Sequence, residues 1–364
     1  MQYRKLPQGS EQISVIGLGL GIAEPGSDIE GIFSHALESG INFYDLCGAY
    51  EFIYPAVKHT LARQRNQVYT QMHFGAVYKN DAYAFTRNLK RVRETFLQKL
   101  DLTGLGYTDF GMLHCIDEMS DLKQVLEGGI YDFVLECKDK GLVHHLGFST
   151  HNPQIADYLL DLGGFDLFMF SLNAAFDFRD RDLELAMGET AEREALYRKA
   201  AAKQVAISVM KPFAGGQLLD ARRSPIGAAL SVPQCLKYVL DRPAVITTVP
   251  GAARPEDIDD YLRLFDPAED LDYAKALSHA RPAQDLKRCI YCNHCAPCPK
   301  KLNVGLINKY FDLAKLGDEL ARAHYLNLEH HASECNDCGH CDKRCPFHTA
   351  QMERMHQIAA YFGV

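Results

Sequence analysis

Val143-His-His-Leu-Gly-Phe-Ser-Thr-His-Asn-Pro-Gln-Ile-Ala-Asp-Tyr-Leu-Leu-Asp-Leu162 decides the fold, because it holds one complete repeat of the chain's pattern. A short apolar run, Val143–Phe148, reads as a strand, and Pro153–Leu162 follows it as an amphipathic helix. Seven similar pairs surround it. The strand candidates are Ser14–Gly17, Asn42–Asp45, Gln67–Met72, Phe110–Leu113, Leu167–Ser171, Ala206–Val209 and Val245–Val249. Their helices are Ile29–Glu38, Tyr54–Arg63, Ala82–Leu100, Leu122–Lys140, Ala191–Lys203, Pro233–Leu240 and Pro255–Leu264. Eight strand–helix repeats in one stretch describe an α/β chain folded as a (β/α)8 TIM barrel, here spanning residues 1–265. Tyr3–Gln12 reads as a hairpin across the bottom of that barrel.

Catalytic groups of such barrels project from the C-terminal ends of the strands. Asp45 and Tyr50 follow the second strand, His73 ends the third, and His114 ends the fourth. Ser149 and His151 end the fifth, Asn173 the sixth and Lys211 the seventh, while Gly251 and Arg254 follow the eighth. A lone His among these reads as a satisfied structural group. An Asp, a Tyr and two His at one rim read as an active site. Gly17-Leu-Gly19-Leu-Gly21 follows a strand, but no helix begins at once behind it to hold a pyrophosphate. Glycine there suits backbone passing close beneath a ligand. Asp177–Thr190 reads as a loop or lid over the mouth.

Beyond a linker over 266–285, the remainder (286–364) carries eight of the twelve cysteines. Cys289-Ile-Tyr-Cys292-Asn-His-Cys295-Ala-Pro-Cys298-Pro299 is echoed by Cys335-Asn-Asp-Cys338-Gly-His-Cys341-Asp-Lys-Arg-Cys345-Pro346. The second run has bacterial ferredoxin spacing; the first is one residue shorter before its last cysteine. This spacing leads us to expect two 4Fe–4S clusters. Cys289, Cys292 and Cys295 would share one with Cys345, and Cys335, Cys338 and Cys341 the other with Cys298. Structural zinc and disulfides are the alternatives. Asn303–Leu328 and Met352–Phe362 are helical in pattern, so the expected second domain is small, mainly α-helical and ferredoxin-like. Cys47, Cys115, Cys137 and Cys235 are scattered and read as small buried apolar residues.

A net charge of −8 with no basic run gives no reason to expect nucleic acid. No 18-residue apolar stretch and no apolar leader is present, which suggests a cytoplasmic chain with reduced thiols and no membrane partner.

The rim residues resemble the aldo-keto reductases, specifically members with a C-terminal two-cluster iron–sulfur domain. Gly40-Ile-Asn-Phe-Tyr-Asp45 with Tyr50 is similar to that family's Asp-and-Tyr segment, and Leu113-His114 to its catalytic His. Gly147-Phe-Ser149-Thr-His151, Met210-Lys-Pro-Phe-Ala-Gly-Gly216 and Val249-Pro-Gly-Ala-Ala-Arg-Pro-Glu256 resemble its cofactor turns. The resemblance implies catalytic roles for Tyr50, Asp45, His73 and His114. It also implies cofactor contacts from Gly19, Ser149, Asn173, Met210, Lys211, Phe213, Gly215, Gly251 and Arg254. A Tyr hydroxyl would give a proton to a carbonyl oxygen while NADPH gives hydride to the carbon.

His73 stands where the family has Lys, so His73 held by Asp45 would replace that cation or act as the acid itself. Glu51, Met169, Ala253 and Tyr261 depart from the family's pattern around the cofactor, so the expectation is weak NADPH binding. The expected function is reduction of a carbonyl or related small molecule at the barrel mouth, with the clusters relaying electrons from a redox partner protein. The alternatives are a cluster-fed reductase without NADPH, or an electron-transfer subunit with a non-catalytic barrel.

Overall fold

The computed structural model describes residues 1–47, 51–79, 82–177, 191–278, 289, 291, 293–315 and 319–364. Two compact units divide the chain: residues 1–77 with 85–282, and residues 78–84 with 283–364.

In the first unit, β1 (Tyr3–Lys5) and β2 (Gln12–Ser14) form the expected antiparallel hairpin. Arg4 donates to the carbonyls of Leu240 and Val245 at the lower end of the last strand. The following strands are β3 (Leu18–Gly19), β4 (Phe43–Asp45), β5 (Tyr69–Phe74), β6 (Ala76–Lys79), β7 (Ala82–Phe85), β8 (Thr108–Leu113), β9 (Val143–Thr150), β10 (Leu167–Ser171), β11 (Ala206–Met210) and β12 (Val245–Thr248), of which β6 and β7 fall largely in the second unit. All but β6 and β7 form one parallel sheet in the order β3-β4-β5-β8-β9-β10-β11-β12. Bridges from Ile16 to Thr248 and from Gly19 to Gly251 join its first edge to its last, so the sheet closes into a barrel.

Phe43, Phe110, Met112, Leu167, Ala206 and Ile246 are among the apolar side chains that fill the core. Gly147 is required in this layer. A Cβ there would lie 2.4 Å from Met112 Sδ and 2.6 Å from the Leu167 carbonyl oxygen, closer than carbon can approach either.

Local chemistry sets the helix limits. Asn152 accepts from the Gln154 amide at 2.9 Å and Pro153 opens the helix Pro153–Leu162. Ser231 and Gln234 form a reciprocal capping box at the start of Val232–Leu240.

Several expected boundaries are corrected. The first barrel strand is Leu18–Gly19, not Ser14–Gly17, because β2 is committed to the hairpin as far as Ser14. Ala82–Phe85 is a strand, and the next helix starts at Leu89, where the Asn88 side chain caps the Arg91 amide at 3.0 Å. Leu122–Lys140 is two helices, Met119–Glu127 and Ile130–Asp139, parted at Gly128-Gly129, where Gly129 takes φ 80°. Tyr54–Arg63 ends as an α-helix at His59 and continues as a 3-10 turn, Leu61–Gln67. Part of the expected linker is helix, Tyr273–Ser278, whose Tyr273 hydroxyl donates to Asp241 at 2.9 Å.

A buried polar cluster fastens the sixth barrel strand to two helices. Arg193 donates to Asp177 at 2.8 Å and to the Ser171 carbonyl at 2.6 Å. Tyr197 and Tyr238 each donate to Asp177 at 2.6 Å. All four side chains are buried, so every charge and hydroxyl is satisfied within the cluster. Residues 178–190 of the expected lid lie outside the described residues.

The second unit has its own core. The expected helix Asn303–Leu328 is two helices, Val304–Lys315 and Glu319–Leu326, and the tail helix is Gln351–Phe362. Val304, Ile307, Phe311, Tyr325, Met355 and Phe362 pack together, with the Tyr325 and Phe362 rings stacked at 3.8 Å. Buried Asn308 donates to Gln351 at 2.9 Å and ties the first helix to the last. Among the described residues, no helix is long and apolar enough to cross a membrane.

Candidate active site

Parallel register brings the rim residues together. Asp45 at the end of β4 lies opposite Gln71 of β5, and His73, two residues further along β5, lies opposite Met112 of β8. Because side chains alternate along a strand, Gln71 and His73 share one face. His73 Nε2 is 3.1 Å from Asp45 Oδ1, and its Nδ1 is 3.0 Å from Nδ1 of His114. Asp45, His73 and His114 therefore form one continuous line, all of it buried.

Between the two Nδ1 atoms there is room for one proton, so one ring donates as the other accepts. Gln71 fixes the line from behind. Its amide donates to Asp45 at 3.1 Å, and its carbonyl accepts from Ser208 Oγ at 3.2 Å. The direct contact between His73 and His114 was not legible from their separate strands. Tyr50 lies outside the described residues.

Cys47 corrects its reading as a scattered core thiol. It is half-buried, its amide donates to Asp45 at 3.2 Å, and its Sγ is 3.6 Å from His114 Nδ1. Burial, and then the Asp45 carboxylate, push its thiol well above the usual range. Lys99 was also missed, because a lysine in an amphipathic helix normally faces water. It is buried, donates to the Ala76 carbonyl at 2.9 Å, and burial pulls it down to about 8 against the opposing pull of Cys47 and Asp45.

That shift has a testable consequence. Between about pH 8 and the ordinary lysine range, the unfolded chain binds a proton here that the folded chain lacks. The contribution of Lys99 to stability should therefore rise with pH across this window, by about 3 kcal/mol, against the opposite trend of the thiols Cys47, Cys115, Cys137 and Cys235, which burial pushes up. Lys99→Met should flatten the rise, as measured by urea unfolding from pH 7.5 to 10.

On the cofactor side, Ser149 Oγ accepts from the Cys115 amide at 2.7 Å and lies 3.4 Å from His73 Nδ1. Asn173 donates to the Lys211 carbonyl at 2.9 Å and accepts from the Phe176 amide. Lys211 Nζ reaches His151 Nε2 at 2.6 Å, and His151 Nδ1 faces Asp117 at 3.0 Å. Burial, and then the Lys211 charge, pull His151 below its ordinary range, so it accepts from Lys211 as a neutral ring. Met210 precedes this turn half-buried, and Met169 is buried in the barrel core.

Phe213 lies against Tyr261, whose hydroxyl caps the Gly251 carbonyl. Gly215 and Gly216 take φ 67° and 84° in the same turn. Arg254 is exposed and pairs with Asp257 at 3.1 Å. Gly19 serves the joining of the barrel's edges: its amide donates to Pro250, and a Cβ would come 3.1 Å from the Val249 carbonyl.

In the second unit, Cys298, Cys335, Cys338 and Cys341 line one small hollow together with Leu302, Met352 and Met355. Cys289, Cys295 and Cys345 are buried, and Cys292 lies outside the described residues.

A parallel eight-stranded barrel with an Asp–His–His line at its C-terminal rim defines the class as a barrel enzyme. The model of the aldo/keto reductase family matches residues 19–229, and the chain belongs to that family. It is an oxidoreductase acting on a small-molecule substrate.

Among solved structures it is similar to the holo form of aldo-keto reductase AKR11C1 from Bacillus halodurans. That match has 18% identity and a TM-score of 0.59, covering 79% of this chain and 99% of the other. It is similar also to glycerol dehydrogenase AKR11B4 from Gluconobacter oxydans, at 15% identity and TM-score 0.57, covering 76% and 93%. A putative aldo-keto reductase, PA4992 from Pseudomonas aeruginosa, matches at 19% identity and TM-score 0.55, covering 71% and 92%. None of the curated proteins matches the chain.

These findings correct the iron–sulfur reading. They support the aldo-keto reductase family without an iron–sulfur qualifier, and a barrel followed by extra helices. The expectation of two 4Fe–4S clusters relaying electrons into the barrel, drawn from cysteine spacing alone, is set aside on that ground. The discounting of NADPH is corrected with it. Met169, one of the substitutions behind it, packs in the barrel core, and Tyr261 makes its own bond to Gly251.

Proposed function

We propose that the chain is an NADPH-dependent reductase of a small-molecule carbonyl, working at the barrel mouth. The observation that carries this reading is the buried line Asp45–His73–His114.

The rim suits a dinucleotide. At Gly21 and Gly216 a Cβ would meet nothing within 4 Å, so bare backbone borders the ends of the first and seventh barrel strands. Gly19, Met210, Lys211, Phe213, Gly215 and Gly251 would border the cofactor, with the Ser149 hydroxyl and the Asn173 amide beside it. Arg254 would grip a 2′-phosphate on leaving Asp257. When bound, NADPH supplies hydride to the carbonyl carbon.

The chain's own residues manage the proton. Asp45 accepts from His73 Nε2–H and fixes the orientation of the ring. His73 then donates through Nδ1 toward His114, which faces the substrate oxygen. Tyr50, the residue that resembles the family's Tyr in the segment after Asp45, is the proposed final donor.

NADPH oxidation with a panel of aldehydes, ketones and quinones tests the reading. One alcohol formed per NADPH consumed is expected. NADPH binding without turnover of any carbonyl would reject it.

A further inference from the structure

The two Nδ1 atoms that share a proton in the Asp45–His73–His114 line can instead share a metal ion, and the two uses exclude each other. Cys47 Sγ, His73 Nδ1 and His114 Nδ1 all lie within 4.8 Å of one another. Bonds of about 2.0–2.1 Å to nitrogen and 2.3 Å to sulfur around a tetrahedral ion place two nitrogens about 3.3 Å apart and nitrogen about 3.6 Å from sulfur. The observed separations are 3.0 Å and 3.6 Å. The distance from Cys47 to His114 matches, the sulfur lies within 4.8 Å of His73 Nδ1, and the nitrogen pair needs to open slightly. The two rings meet edge to face at 80° with their Nδ1 atoms in contact.

The support behind these atoms is that of a metal site. His73 turns its other nitrogen to Asp45 at 3.1 Å, the carboxylate–histidine arrangement that fixes a ligating ring and raises its basicity. Asp45 is itself held by the Gln71 amide at 3.1 Å and the Cys47 amide at 3.2 Å. The Lys99 ammonium, the nearby buried cation, is engaged by the Ala76 carbonyl at 2.9 Å.

We infer that Cys47, His73 and His114 bind a divalent cation of zinc type at the barrel mouth. A mixed imidazole and thiolate set suits zinc among the common divalent ions and is a poor set for magnesium or calcium. Three protein ligands leave a fourth position for water or a substrate oxygen, the pattern of catalytic rather than structural zinc. Binding of the ion rests on these side chains alone. Its use to polarise a carbonyl rests on the function proposed above, because that reading places the substrate oxygen beside His114.

Cobalt(II) is the probe, since it takes zinc's geometry and is coloured. Full-length protein is titrated anaerobically beside Cys47→Ala, so that uptake by the thiols at 289–345 cancels in the difference. The wild type is expected to take one equivalent more than the variant. The difference spectrum should show a thiolate-to-cobalt band with the visible bands of a four-coordinate ion. Asp45→Asn should keep the site but weaken its affinity about 10- to 100-fold.

Superimposable titrations of the wild type, Cys47→Ala and His114→Ala would overturn the inference. Should Cys47→Ala fail to fold, Cys47→Ser replaces it as the reference, and a wild type minus Cys47→Ser difference spectrum without a thiolate band would equally overturn it. Turnover is not part of this readout. An inactive protein that binds cobalt here leaves the site standing, and an active reductase that binds none removes the site alone.

Discussion

Asp45→Asn is expected to lower kcat/KM for carbonyl reduction by about 10²- to 10⁴-fold, the range that positioned acid–base groups supply. Asp45 accepts from His73 at 3.1 Å and, among the described residues, is the one carboxylate in hydrogen-bond contact with that ring. Asparagine keeps the shape and removes the charge. His73 would then lose the partner that holds a proton on it, and the line to His114 would lose its direction. Because the residue is small, buried and matched in size, the fold should survive.

The signature that separates this loss from simple misfolding is the pH profile. His73→Lys should restore a cation that titrates near ~10.4 in place of an imidazole, whose ordinary value is near ~6.5. The alkaline limb of kcat/KM should therefore move upward in His73→Lys. Coincident profiles for the wild type and His73→Lys would exclude this proton chemistry.

Asp177→Ala should be the most destabilising single change in the barrel, by about 3–5 kcal/mol in urea unfolding. Asp177 is the counter-ion of Arg193 at 2.8 Å and the acceptor for Tyr197 and Tyr238 at 2.6 Å. Removing it leaves a guanidinium in the core with the Ser171 carbonyl and the Tyr197 hydroxyl as its polar partners among the described residues. It also strands two phenolic hydroxyls away from water. The double variant Asp177→Ala/Arg193→Met should recover much of the loss, because no unpaired charge then remains buried. A double variant no more stable than Asp177→Ala would show that packing, not charge pairing, sets the effect.

The barrel was legible because its signal is repeated and local. Each strand reads as a short apolar run, and the helices Ile29–Glu38 and Pro153–Leu162 fall where the pattern puts them. Errors gathered where periodicity is silent. Gly128-Gly129 breaks a helix whose apolar spacing runs through the break, and Ala82–Phe85 carries an alternation too short to separate from the helix behind it.

At the site, Asp45, His73 and His114 were legible as strand ends. Gln71, Cys47 and Lys99 were not, because each is defined by a neighbour distant in sequence. Gln71 meets Ser208 across 137 residues, and Cys47 meets His114 across 67. The cysteine runs misled in the other direction. Their spacing is a strong local signal, but it carried an expectation about electron flow through the whole enzyme that local spacing cannot contain.

The most direct test of the central claim follows the hydride. The protein is incubated anaerobically with NADPH deuterated at C4 of the nicotinamide and a carbonyl it reduces, with no other electron donor present. One deuterium per product alcohol, on the former carbonyl carbon, from one of the two C4 positions only, is the expected result. A product reduced without deuterium, or NADPH left unoxidised by every carbonyl tried, would contradict it.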